Sequence, residues 1–322
     1  MEHILVIRLK SIGDVILTLP AIHALRENFP QARITYLTSR ENASLLQGFP
    51  EVNDVIVLDR AKMRGGNPFK IAGEFLRLVR QLRAGKFSLV VDLQGYGETA
   101  WLTRLTGARE RWSTIYSSGR AWAYTRTNPR NPVAHATDAH LELLRHCGVK
   151  ADNIRYEFTL PPDALESARK ILVENKIDPA KPILFIQAFT NIPHKNWPLE
   201  SYLAVARYWR ERGIQIVFGG GPADRVPLQV TANEGFCVTA GTPLLVTAGL
   251  LQLSTFVLGG DTGMLHLAVA LGKRVLMLMH NARPGSPVPY RHPDWVIAAP
   301  APVSIHLITV DQVNTELARH LP

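Results

Sequence analysis

The chain has 322 residues, beyond the roughly 250–300 at which a single core stops growing, so its length points to two domains. Hydrophobic residues make up 46% and charged residues 20%, an ordinary globular balance, and no stretch approaches the ~18–20 apolar residues of a membrane span. Lys and Arg outnumber Asp and Glu by 36 to 27, and the resulting +9 favours an anionic partner: nucleic acid, a phosphate-bearing substrate or an anionic membrane face.

Strand and helix signals alternate along the chain. Ile4 to Ile7 is a short apolar run typical of a strand buried on both faces, and Arg8 ends it too early for a secretory leader. Val15 to Asn28 carries Ile16, Leu19, Ile22 and Leu25 at helical spacing. Ile34 to Leu37 and Val55 to Leu58 read as strands, and Phe69 to Ala84 as a helix with Phe75, Leu78, Val79 and Leu82 on one face. Leu89 to Leu93 is another buried strand, completing a rhythm that implies a parallel sheet covered by helices. From Arg109 to Ala134 the chain is rich in Arg, Trp, Ser and Pro and shows no period; Asp138 to Cys147 is helical again.

Tyr156 to Pro162 ends in a Pro-Pro pair and reads as a linker, which divides the chain into domains 1–160 and 161–322. Asp163 is placed to cap a helix running to about Asn175. Strands at Ile183–Ile186, Ile214–Phe218, Phe256–Leu258 and Val275–Met279 then alternate with helices at Leu199–Arg212, Leu244–Leu253 and Thr262–Leu271. The expectation is an α/β chain of two doubly wound, Rossmann-like domains facing a central cleft. Cys147 and Cys237 lack the close neighbours of a zinc or CxxC motif and read as buried thiols in a reducing cytoplasm.

Three polar segments follow strand ends in the C-terminal half. Gly259-Gly260-Asp261-Thr262-Gly263 leads into a helix, whose free N–H groups and dipole suit a phosphate, with His266 as a further donor. Thr190 to Lys195 adds a flexible positive charge. Gly219 to Asp224 offers a carboxylate suited to ribose hydroxyls. In the N-terminal half, Lys10-Ser11-Ile12-Gly13-Asp14 follows the first strand without forming a P-loop, and Asp14 reads as a helix cap or a general base. Arg109, Arg111, Arg120, Arg126 and Arg130 crowd the irregular stretch with Trp112 and Trp122, as a solvated loop or as a holder of an anionic acceptor.

Arg8 to Pro20 resembles the opening of glycosyltransferase family nine, the bacterial heptosyltransferases. Asp92-Leu93-Gln94-Gly95, Lys195-Asn196-Trp197-Pro198, Gly220-Gly221-Pro222 and Asp261-Thr262-Gly263 with His266-Leu267-Ala268 match further motifs of that family in order, over about residues 4 to 280. The resemblance implies the GT-B fold and inverting, metal-independent, cofactor-free transfer, most often of heptose from an ADP-heptose donor to a lipopolysaccharide inner core. It places Asp14 as general base, Thr190 and Lys195 on the diphosphate, Asp224 on the donor ribose, and Asp261, Thr262, Gly263 and His266 on the sugar-diphosphate loop. It implies a cytoplasmic protein, compatible with peripheral contact at the inner face of the membrane, with a lipid-linked or anionic glycan as acceptor.

Two segments depart from the family: His280 to Ser286 stands where relatives carry Gly-Pro-Thr, and Ala108 to Ser113 replaces an Arg-Ile-Gly-Phe-like run. The rival readings are a nucleotide-sugar epimerase or hydrolase on the same fold, and a basic nucleic-acid binder. The scatter of the basic residues disfavours the second.

Overall fold

Six parallel strands form a sheet in each half of the chain. The computed structural model describes residues 2–60, 62, 67–299 and 304–321, and its two compact units are Met1–Tyr156 and Glu157–Pro322.

In the first unit the strands are β1 (His3–Ile7), β2 (Arg33–Ser39), β3 (Asp54–Leu58), β4 (Leu89–Asp92), β5 (Glu110–Ile115) and β6 (Arg126–Pro129), ordered β3-β2-β1-β4-β5-β6. Every neighbouring pair is parallel, with Ile4 opposite Ile34 on one side and Leu89 on the other. Helices α1 (Ile12–Ile16), α2 (Leu19–Asn28), α3 (Pro68–Ala84), α4 (Gly97–Thr106) and α5 (Ala136–His146) connect them. Leu5, Ile7, Leu37, Leu78, Leu82 and Val90 share one core cluster.

The second unit repeats the plan. Its strands are β7 (Ile183–Gln187), β8 (Gln215–Gly219), β9 (Cys237–Val238), β10 (Phe256–Gly260), β11 (Val275–Met279) and β12 (Val296–Ala298), ordered β12-β11-β10-β7-β8-β9. The helices are α6 (Pro162–Glu174), α7 (Leu199–Arg210), α8 (Gln229–Asn233), α9 (Leu244–Leu253), α10 (Gly263–Ala270) and α11 (Val310–Leu317). Strand order reverses between β1 and β4 in one sheet and between β7 and β10 in the other. Those switch points open crevices at the strands' carboxyl ends, where α/β sheets bind ligands. Among the described residues no helix is long and apolar enough to cross a membrane.

Several local expectations need correction. The stretch without a period holds β5 and β6; β5 reads Glu-Arg-Trp-Ser-Thr-Ile, and its polar residues hide it. The helix expected over Val15–Asn28 is broken at Leu17–Thr18, because Pro20 lacks the N–H that a continuous helix would use and instead sits in the first turn of α2. Asp163 is not a cap: α6 starts at Pro162 with Pro161 in the cap position, and Asp163 lies in the first turn, where its charge suits the dipole. Phe75 is 42% exposed, whereas Leu78 and Leu82 on the same helix are buried, so Phe75 does not belong to the buried stripe of α3.

Candidate functional site

The switch point of the second unit gathers most of the expected donor-site residues. Lys195, on the loop after β7, reaches across it to Asp261, just past β10, with Nζ 2.8 Å from Oδ2. The other carboxylate oxygen of Asp261 lies 3.7 Å from Nε2 of the buried His266. Burial alone would raise the Asp261 carboxyl, but the His266 and Lys195 side chains outweigh it and hold the group below the usual carboxylate range. An ammonium has three donors, so Lys195 can keep Asp261 and still take a phosphate oxygen.

The loop carrying Lys195 is pinned by its neighbours. Trp197 is fully buried, its Nε1 donates to Ile308 O at 2.9 Å, and its ring meets Tyr202 edge-to-face at 4.8 Å. Burying an indole of this size is worth about 3–5 kcal/mol against truncation, enough to fix the two residues before it. Thr190 shapes the same loop: its N–H donates to Asn196 Oδ1 at 2.8 Å, and its hydroxyl donates to Ile192 O at 2.9 Å. The loop packs so tightly on β10 that a Cβ at Gly260 would fall 2.8 Å from Thr190 Cγ2. Gly260 therefore makes room for Thr190.

Thr262 occupies the N-cap position of α10 in an extended conformation, and its side chain makes no cap bond. Its hydroxyl oxygen is buried with no partner among the described residues. With the helix dipole behind Gly263, this terminus is arranged to receive an oxyanion. A pocket at this point is lined by Lys195, Asp261, Leu278, His280, Asn281 and Ser286, among others. The segment that departs from the family pattern is thus part of the pocket wall. Asp224 lies past β8, beside β7, and is not hydrogen-bonded to Lys195 or Asp261 among the described residues. One carboxylate oxygen accepts from Gly221 N at 2.7 Å, which leaves the other open to a hydroxyl.

In the first unit Asp14 is not the N-cap of α1. Ser11 holds that position, and Asp14, three residues on, reaches back to accept from Ser11 N at 2.9 Å. Its second oxygen pairs with Arg8 Nη2 at 2.6 Å, and Arg8 Nη1 donates to Leu93 O at 2.5 Å. The loop after β1 is tied to β4 again where Leu9 N donates to Gln94 Oε1 at 2.9 Å. Asp14 thus stands at the carboxyl end of the sheet, part exposed, in fixed orientation.

The sheet separates the five arginines. Arg109, Arg111 and Arg126 sit at the starts of β5 and β6, the edge opposite Asp14. Arg111 donates to the carbonyls of Ala123 and Ala108, and Arg126 donates to Cys147 O at 3.1 Å, so both brace backbone. Arg120 and Arg130 lie past the strand ends instead: Arg120 donates to Gly95 O at 3.0 Å, and the Arg130 guanidinium lies 4.8 Å from the centre of the Tyr116 ring.

Arg8, Asp92 and His140 were given no role by the sequence. Asp92 is fully buried and accepts from Gln94 N, Gly95 N and Tyr124 Oη at 2.9, 3.0 and 2.6 Å, which builds the turn after β4. Burial raises its carboxyl even against those hydrogen bonds. His140 is buried between the carbonyls of Leu17 and Leu93, and burial, then the charge of Arg8, push it down to about 3. Only the lone His on the apolar face of α5 could have signalled this.

The profile of Glycosyltransferase family 9 (heptosyltransferase) matches residues 75–308. The chain is 22% identical over 304 residues to the lipopolysaccharide core heptosyltransferase OpsX of Haemophilus influenzae, covering 91% of this chain and 83% of that one. Its fold is similar to that of a family 9 glycosyl transferase from Veillonella parvula, with a TM-score of 0.87 at 20% identity over 99% of this chain and 96% of that one. It is likewise similar to the Escherichia coli heptosyltransferase WaaC, solved with ADP-2-deoxy-2-fluoro heptose, with a TM-score of 0.79 at 20% identity over 98% and 99% of the two chains. The two parallel sheets are those of the GT-B fold.

Proposed function

The chain belongs to glycosyltransferase family 9, the heptosyltransferases, and on that premise we propose that it moves heptose from ADP-heptose to a lipopolysaccharide inner-core acceptor, inverting the anomeric centre without a metal ion. The observation that carries the donor reading is the Lys195–Asp261 bridge beside the N-terminus of α10, with His266 behind it. Positive charge and oriented N–H groups there suit the diphosphate, and they stabilise the charge that grows on it as the glycosidic bond breaks. Thr190, Thr262 and Gly263 complete the diphosphate cradle, and Asp224 takes a ribose hydroxyl with its open oxygen. The ADP-heptose analogue bound by WaaC supports the choice of donor.

Asp14 serves as the base. Its carboxylate takes the proton of the attacking acceptor hydroxyl, while Ser11 and Arg8 keep it aimed. Arg120 and Arg130, at the same edge of the first sheet, are the arginines placed to meet an anionic acceptor. Residues 1–160 then bind acceptor and 161–322 bind donor, and the enzyme works in the cytoplasm against the inner face of the membrane.

The direct test is purified protein with ADP-heptose and heptose-deficient lipopolysaccharide in the presence of EDTA. The expected result is one added heptose by mass spectrometry, of inverted configuration by NMR, and ADP release that depends on the acceptor. Donor consumption without acceptor would turn the reading to a hydrolase or epimerase, and loss of transfer on chelation would end the metal-free mechanism.

A further inference from the structure

The chemistry above leaves unused a strip of exposed aromatic side chains in the first unit. Tyr96 and Trp101 come from the start of α4, and Tyr116 and Trp122 from the segment between β5 and β6. They are 42%, 61%, 42% and 47% exposed, respectively. Each contact takes one ring from each segment: Tyr96 meets Tyr116 with centroids 5.4 Å apart, and Trp101 meets Trp122 at 4.6 Å, both edge-to-face. Arg120 closes the same seam through Gly95 O, and Arg130 covers one side of Tyr116. Large aromatics that stay in water while holding one another in place are a prepared surface, since such groups otherwise bury.

We propose that this double aromatic strip is a stacking platform for the sugar rings of the acceptor glycan, an inference that rests on the glycosyl-transfer reading and adds an acceptor subsite to it. Position supports it. Tyr96 directly follows the turn after β4 and Tyr116 directly follows β5, so both stand at the sheet edge that carries Arg8 and Asp14. Chemistry supports it as well. A pyranose presents an apolar C–H face and a rim of hydroxyls, and it needs flat rings with hydrogen-bonding groups beside them. Ser117, Ser118 and Arg120 come between Tyr116 and Trp122 in the sequence of the second segment. Rings already locked against each other lose little freedom on binding. Place decides for a glycan over a lipid surface: the strip begins at the strand-end edge that carries Asp14, the group that must meet the acceptor hydroxyl.

The probe is O-deacylated, heptose-deficient lipopolysaccharide, with the full-length protein and its Trp101→Ala, Trp122→Ala and Trp122→Phe variants. The glycan is expected to shift the tryptophan emission of the parent. Each Ala variant is expected to raise the KM for glycan by about tenfold, the scale of a buried aromatic anchor, while ADP affinity by calorimetry stays at the parent value. Trp122→Phe should recover most of the loss, because it restores a flat ring. Unchanged KM in both Ala variants, with the parent active, overturns the platform and leaves the transfer reading intact. Binding to phosphatidylglycerol vesicles that the Ala variants lose, with glycan KM unmoved, overturns it in favour of a membrane anchor. A parent that transfers nothing to this glycan overturns the transfer reading and the platform together.

Discussion

Replacing Asp14 by Asn removes one charge and keeps the outline of the side chain. The amide oxygen can still accept from Ser11 N, so α1 keeps its N-terminal bond. The contact with Arg8 is lost, because the amide NH2 would face another donor at a present separation of 2.6 Å. Stripping one partner from a buried ion pair costs about 3–5 kcal/mol. The Arg8 side chain is 10% exposed but that of Asp14 is 37% exposed, so water can replace the carboxylate. That moves the cost toward the surface-pair range, to about 1–2 kcal/mol. A domain with about 5–15 kcal/mol of stability would remain folded after such a loss. Loss of a general base lowers the rate by roughly 10²–10⁴. Unfolding cannot produce a drop of that size here, so the two roles separate. The assay is thermal melting alongside heptose transfer at saturating donor and acceptor, with Arg8→Gln as the control that breaks the same pair and keeps the carboxylate. The expectation is a lower melting point in both variants, a rate loss of a hundredfold or more in Asp14→Asn, and a much smaller loss in Arg8→Gln, which loosens the aim of the carboxylate but keeps the base. Retention of a tenth or more of the parent rate by Asp14→Asn would remove Asp14 as the base.

Three further outcomes follow from the geometry. Lys195→Ala should weaken ADP binding at least several-fold, since the diphosphate loses its charge partner and Asp261 is left beside it; unchanged affinity by calorimetry would take Lys195 out of the site. Gly95→Ala should destabilise the first unit by more than about 2 kcal/mol, because φ is +65° and the new Cβ would fall 2.1 Å from Thr114 O; a melting point at the parent value would refute that fit. His140, neutral in the fold and pushed down to about 3, binds a proton more readily when unfolded, so stability should fall as pH drops from about 6.5 toward 3, by up to about 1.4 kcal/mol per pH unit. Asp92, whose carboxyl is raised, acts in the opposite sense, so the readout is the difference between parent and His140→Gln: the variant should lose part of that slope, and parallel curves would refute the assignment.

The runs at 4–7, 89–91, 183–186, 256–258 and 275–279 were legible as strands because a parallel strand buried on both faces must be apolar nearly throughout, a constraint local to the run. The polar residues beyond them were legible for the same reason, as the points where burial stops. β5 and β6 were not legible, since Glu110, Arg111 and Arg126 occupy strand positions nearer the sheet's rim. Which polar strand ends meet was decided by strand order alone. Lys195 and Asp261 are 66 residues apart and touch because β7 and β10 are neighbours. The arginines between 109 and 130 look like one cluster in the sequence, yet parallel strands return each segment to the starting edge, and so Arg111 and Arg126 end opposite Arg120 and Arg130. Local composition determined which residues are buried and which are free for chemistry; the long-range pairing of strands determined which of the free ones share a site.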